Sequence, residues 1–508
     1  MIGAKPLADI TARQCDDHVT RLHRAARSGD VAAIRLLVEQ GTSIHARDKR
    51  LNTPLHSAAS GGNPDVVQFL LKRGANLEAK DTEDIQNTPL HIAAEYGNFA
   101  AACTLLDNGA NIHARRKDLC TPLHHASQNG NLDVVRLLLE RGADPEAKND
   151  GHRTPLCVAA SNGKVDVARS LLNHGANIHA RCKDLCTPLH LASRSGNPNV
   201  VRLLLRRGAH LEAKSDTGYT PLCVAACNGE VDAVRSLLDY GANIHDRNNG
   251  LRTPLHLASR GGHPNVVQLL LERGAHLEAK SDGGSTPLYI AAYNGNADAA
   301  RSLLDHGANI EVCGKDLWTP LHAASKGGHP DVVQLLLERG AHLEAKEDGG
   351  YTPLCAAACK GKVDAVRSLL DLGANIEACG KGLWTPLLIA SKGGYPDVVQ
   401  LLLKRGAHLE AKNDGGCTPL CAAASDGKVD AVRSLLDHGA NIETRDKRLW
   451  TPLHAASEGG HPDVVRLLLE RGANVYAQNN NQKTPVQFAK KAGKQEIVRL
   501  FSKYERRK

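Results

Sequence analysis

Aromatic side chains make up only 3% of this 508-residue chain, and it has a single methionine. A large globular core assembled around Phe, Tyr and Trp is therefore excluded, and small helices packed through Ala, Leu and Val are expected in its place. No segment approaches the eighteen or more consecutive apolar residues of a membrane span. The start, Met1-Ile2-Gly3-Ala4-Lys5-Pro6, carries no apolar signal run. Ile2 stands where a myristoylation signal needs glycine, and Glu505-Arg506-Arg507-Lys508 is no prenylation box. The fourteen cysteines include no C-x-x-C pair, and they are scattered through a chain too long to need disulfide staples. These absences predict an intracellular protein, cytoplasmic or nuclear, without direct membrane insertion.

Catalytic signatures are missing too. There is no H-E-x-x-H and no G-x-S-x-G. Gly163-Lys164-Val165, Gly361-Lys362-Val363 and Gly427-Lys428-Val429 lack the Ser/Thr after Lys and the earlier Gly of a phosphate loop. The expectation is a chain that is not an enzyme and takes no cofactor.

What is present is repetition. Thr-Pro-Leu occurs at Thr53, Thr88, Thr121, Thr154, Thr187, Thr220, Thr253, Thr286, Thr319, Thr352, Thr385, Thr418 and Thr451, with Thr-Pro-Val at Thr484. The first interval is 35 residues and the rest are 33. Such a period means a stack of small units, each burying its apolar face against its neighbours. A unit without the motif runs from about Val19 to Arg50, so fifteen units are expected. The organisation reads as an N-terminal flank (1–18), a repeat solenoid (19–483) and a capping repeat with a basic tail (484–508).

Within one unit, from Trp318 to Gly350, Thr319 is placed to cap a helix and Pro320 to open it. Leu321, Ala324 and Ser325 follow at helical spacing, and Gly327-Gly328 end the helix. His329-Pro330 opens a second helix that stops at Gly340. Ala341 to Gly350 reads as an extended hairpin, with Leu343 and Ala345 inward and Asp348-Gly349-Gly350 as the turn. The order T-P-L-H-x-A, helix, turn, helix, hairpin, with the motif histidine at His56, His91, His124, His190, His256, His322 and His454, resembles the ankyrin-repeat family from about residue 19 to 504. The fold class expected is an all-α repeat solenoid of stacked helix-turn-helix units joined by β-hairpin loops. The resemblance implies a non-catalytic scaffold or adaptor that binds one or more proteins along the concave hairpin and inner-helix face. The runner-up is a nuclear transcription coregulator.

Two kinds of unit alternate, giving a second period of 66. Cys157, Cys223, Cys355 and Cys421 stand in one kind where the other usually carries the motif His. Stacked units advance about 10 Å each, so side chains in one such column are too far apart to share a zinc ion. No metal site is expected.

The net charge is +8, of which residues 484–508 supply +6 through eight basic residues against Glu496 and Glu505; residues 1–483 carry the remaining +2. The stack is nearly neutral, which disfavours nucleic acid.

Partner recognition is expected in the slot before each Thr-Pro, with packing of the Leu-Trp tips on neighbouring hairpins, or copying by duplication alone, as the alternatives. It reads Asn52, Asn87, Cys120, Arg153, Cys186, Tyr219, Arg252, Ser285, Trp318, Tyr351, Trp384, Cys417, Trp450 and Lys483. All three tryptophans fall here, with Tyr351 between the first two and Tyr219 earlier in the column. Trp and Tyr bury much area with few rotatable bonds, as binding anchors do. Leu317, Leu383 and Leu449 precede the tryptophans where the other kind of unit usually has glycine, which leaves the turn geometry open. Arg194, Arg260, Lys326 and Lys392 form a basic column nearby on the inner helices, broken by Glu458, so the expected partner has apolar anchors and acidic character.

Overall fold

The computed structural model describes residues 7–505, with side chains from His18 onward. Met1–Pro6 of the flank and Arg506, Arg507 and Lys508 of the basic tail lie outside the described residues. Among the described residues there are thirty α-helices, two short 3-10 turns and no strand. The helices pair into fifteen units. The chain divides between Asn249 and Gly250 into two compact units. Within each, inner helix packs on inner helix and outer on outer.

Each repeat builds itself as its residues dictate. The inner helix Pro320–Gly327 starts with Thr319 as cap and Pro320 at its first position, and Gly328 ends it at φ 84°. Its buried face is Pro320, Leu321, His322, Ala323, Ala324 and Ser325. The outer helix Pro330–Glu338 buries Val332, Val333, Leu335 and Leu336. Neither is long enough to be stable alone, so its stability lies in stacking. The inner helix of the first repeat runs from Leu7 to Ser28.

The motif histidine bonds one repeat to the next. Nδ1 of His322 lies 2.9 Å from the Thr319 hydroxyl and accepts from the Thr319 N–H, while Nε2 donates to the Tyr351 carbonyl at 3.0 Å. His56, His91, His124, His190, His256 and His454 repeat this arrangement, with Nε2 at 2.9–3.1 Å from the carbonyl that precedes the next Thr. Burial depresses the basicity of His322 and His56, and holds His91 and His190 at about 4. In the alternate units Thr352 and Thr220 cap Cys355 and Cys223 instead. Burial pushes the Cys223 thiol up to about 11. Among the described residues no three His, Cys, Asp or Glu side chains group to hold a metal ion.

The expected β-hairpins are turns. At one tip Glu347 N–H bonds to the Tyr351 carbonyl at 3.2 Å and Gly350 N–H to the Glu347 carbonyl at 2.7 Å, closing a five-residue loop. Successive tips are joined by single backbone bonds, such as Asp348 N–H to Asp316 O (3.0 Å) and Lys381 N–H to Gly349 O (2.6 Å). A ladder of one bond per tip is too short to make strands. Leu343 and Ala345 are half-buried. The two-residue excess before Thr88 is absorbed at such a tip, where Gln86 N–H bonds to the Thr82 carbonyl.

The leucines at alternate tips take the same left-handed conformation as the glycines they replace. Leu317, Leu383 and Leu449 have φ 57°, 56° and 58°, against 76° at Gly350 and Gly416. That conformation costs an L-residue with a Cβ about 1–2 kcal/mol. Leu383→Gly is therefore expected to stabilise the second unit by about 1 kcal/mol, seen as a higher urea midpoint at unchanged slope.

Candidate partner-binding groove

Three of the slot residues converge in the second unit. Trp318, Tyr351 and Trp384 line one groove of about 550 Å³, together with Cys355, Cys359, Ile389, Lys392 and Asp426. Glycine makes the room. A Cβ on Gly380 would lie 2.6 Å from the Tyr351 ring and 2.8 Å from the Gly349 carbonyl. Ala356, four residues after Thr352, supplies a small wall where a larger side chain would fill the space beside Trp318.

The rings carry cations. Lys326 Nζ sits 4.6 Å from the centre of the Trp318 ring, and Lys392 Nζ 5.0 Å from that of Trp384. Trp318 also tilts against His322 at 5.4 Å. Burial raises the phenol of Tyr351 and the thiol of Cys355 above their ordinary values, so both stay protonated and uncharged at neutral pH. Asp426 is the one carboxylate among the lining residues. The result is a slot with aromatic walls, the Lys392 ammonium, a neutral phenol donor and a second ammonium, Lys326, against the Trp318 ring. It suits an apolar side chain between the rings, flanked by carboxylates that reach the lysines.

The remaining expected residues lie elsewhere. Leu317 and Leu383 are 52% and 49% exposed on the tips beside Trp318 and Trp384, and Leu449 is 43% exposed on its own tip. Trp450 departs from the expectation of an accessible tip: it is only 6% exposed. Phe488 packs on it at 4.7 Å, His454 at 6.2 Å, and the Arg448 guanidinium covers it at 4.1 Å. Phe488 stands four residues after Thr484, where the units after Trp318 and Trp384 have Ala356 and Ala422. A phenyl ring fills what an alanine leaves open. Tyr219, in the first unit, is half-buried with its carbonyl bound by His190, and Arg260 is exposed; neither lines the groove. Cys359 and Ile389, on inner helices, and Asp426, at the end of one, lie outside the slot column before each Thr-Pro, so that column does not point to them.

The family model "Ankyrin repeats (3 copies)" matches residues 5–81, 22–116, 78–149, 123–215, 209–281, 276–347, 342–413 and 408–479. The chain belongs to the ankyrin-repeat family. Ankyrin repeats are in general protein–protein interaction modules, and the family is in general non-catalytic. Among solved structures, the crystal structure of the human ASB11 ankyrin repeat domain is 32% identical over 44% of this chain and 99% of that one, with a TM-score of 0.41. No curated protein matches the sequence. Among the described residues no helix is long and apolar enough to cross a membrane.

Proposed function

We propose that this ankyrin-repeat protein is a scaffold that captures partner proteins through the Trp318–Tyr351–Trp384 groove, by a segment pairing an apolar anchor with acidic flanks. The observation that carries this reading is the convergence of three aromatic rings and Lys392 in one open groove, with Lys326 over the Trp318 ring beside it, on a chain otherwise nearly bare of aromatics. Each ring contributes a large contact area with only two rotatable bonds, and the half-buried Lys326 and exposed Lys392 above the rings favour carboxylates.

The test is selection of random linear peptides displayed on phage against the full chain in physiological salt. Peptides with a large apolar residue within a few positions of Asp or Glu are expected to be enriched. The Trp318→Ala/Trp384→Ala chain should bind them at least about thirtyfold more weakly, the scale of one lost hot spot. Enriched peptides that are basic, or that bind the double variant as well as the parent, would sink the proposal.

A further inference from the structure

The first unit carries a feature unrelated to the aromatic groove. Between the outer helices Val165–Asn173 and Pro198–Arg206 lies a second groove of about 550 Å³, lined by Arg169, Arg202, Arg206 and Arg207 against the single carboxylate Asp166. The near-identity of the repeats makes the anomaly measurable, because each position has six or seven siblings at the same place in repeats of the same kind.

Three acidic positions have been lost here together. Asn173 stands where six of seven siblings have an acid, Glu39, Asp107, Asp239, Asp305, Asp371 and Asp437, and the terminal repeat has Lys503. Asn199 stands where five of six have Asp, and Arg206 where four have Glu and two Lys. The consequence is visible in the bonding. In the sibling repeats Arg141, Arg339, Arg405 and Arg471 pair with Asp107, Asp305, Asp371 and Asp437 at 2.8, 2.8, 2.6 and 2.9 Å. Arg207 instead donates to the amide oxygen of Asn173 at 3.0 Å. Arg202 donates to the Asn199 amide at 2.8 Å and Arg206 to the Tyr240 hydroxyl at 3.2 Å. Of the four, Arg169 faces a carboxylate, Asp166 at 4.0 Å. The other three guanidiniums are thus oriented by neutral acceptors and keep their charge.

We propose that this arginine groove is a binding site for a compact polyphosphorylated ligand. Guanidinium forks match phosphate oxygens in pairs, and neutral acceptors hold them in place without neutralising them. The groove has the volume of a small-molecule site. The charge is one helix pair wide: the outer helices on either side, Leu132–Glu140 and Val231–Asp239, carry Asp133 with Glu140 and Asp232 with Asp239. A nucleic-acid strand running past the groove would meet those carboxylates, whereas a compact ligand stays between them.

The test uses the full chain, with inositol hexakisphosphate and tripolyphosphate as probes, titrated by calorimetry in physiological salt. One site per chain is expected. The triple reversion Asn173→Asp, Asn199→Asp, Arg206→Glu installs only residues that sibling repeats already carry, and should weaken binding at least tenfold. Arg202→Gln, which copies four siblings, gives an independent loss of smaller size. Absence of binding by both probes would overturn the proposal, as would equal binding by the parent and both variants, which would assign the affinity to the basic C-terminal tail. A single-stranded oligonucleotide that binds more tightly than inositol hexakisphosphate would overturn the compact class of ligand.

Discussion

Lowering the pH from 7.5 to 5 is expected to strip several kcal/mol of stability from this protein before most of its carboxylates titrate. The cause is the motif histidine. Each is neutral when folded, because its Nδ1 accepts from the capping Thr N–H and its Nε2–H is committed to the next repeat's carbonyl. Burial lowers the folded-state basicity of His56, His124, His322 and His454, and holds His91 and His190 at about 4. In the unfolded chain these groups titrate near 6.5. The unfolded state therefore binds more protons between about pH 6.5 and 4. Stability is fully present above that window and falls as pH drops through it, levelling off below the folded values. For His91 and His190 the loss at pH 5 is about 2 kcal/mol each. His125, held at about 3 by burial and by the neighbouring His91, adds to the same unit. The first unit should be the more acid-sensitive, and thermal melts followed by circular dichroism across this range measure it. His190→Leu, which copies Leu388 of a sibling repeat, should flatten part of the dependence. A melting temperature unchanged between pH 7.5 and 5 would contradict the bonding described.

The second large effect separates two tryptophans with the same local sequence. Trp450→Ala is expected to cost about 3–5 kcal/mol, because it empties a site packed by Phe488, His454 and Arg448. The loss should be local. In a repeat stack each unit depends on its neighbours, so the terminal repeat beyond Thr484 should unfold first, read as lost amide protection over residues 485–505. Trp384→Ala, at a half-buried ring lining an open groove, should cost far less and leave protection unchanged. Equal costs for the two would mean that Trp384 is packing and not a contact surface.

These two tryptophans also show what could be read from the sequence and what could not. Leu-Trp-Thr-Pro-Leu is identical around Trp384 and Trp450, and the slot column groups all three tryptophans together. Their difference lies in residues 38 positions on, Ala422 and Phe488, which the stack brings beside them. The architecture was legible because Thr-Pro, the closing glycines and the Leu/Val faces each act within one helix. The hairpin reading overreached: the tips have turn residues, but one inter-tip bond each is not a strand. The leucines at the tips left the turn geometry open, and they take the left-handed conformation of the glycines they replace. The arginine groove was invisible to motif reading, since Asn173, Asn199 and Arg206 stand out only against their siblings, and the lost Arg–Asp pair appears only once repeats are stacked.

The most direct measurement of the groove's role uses the tryptophans themselves. In a Trp450→Phe chain, whose substitution keeps an aromatic ring against Phe488, emission arises from Trp318 and Trp384 alone. Titration with a phage-selected acidic peptide is predicted to shift and quench that emission in step with binding measured independently by the peptide's anisotropy. Saturating anisotropy with unaltered tryptophan emission would place the partner elsewhere and contradict the account.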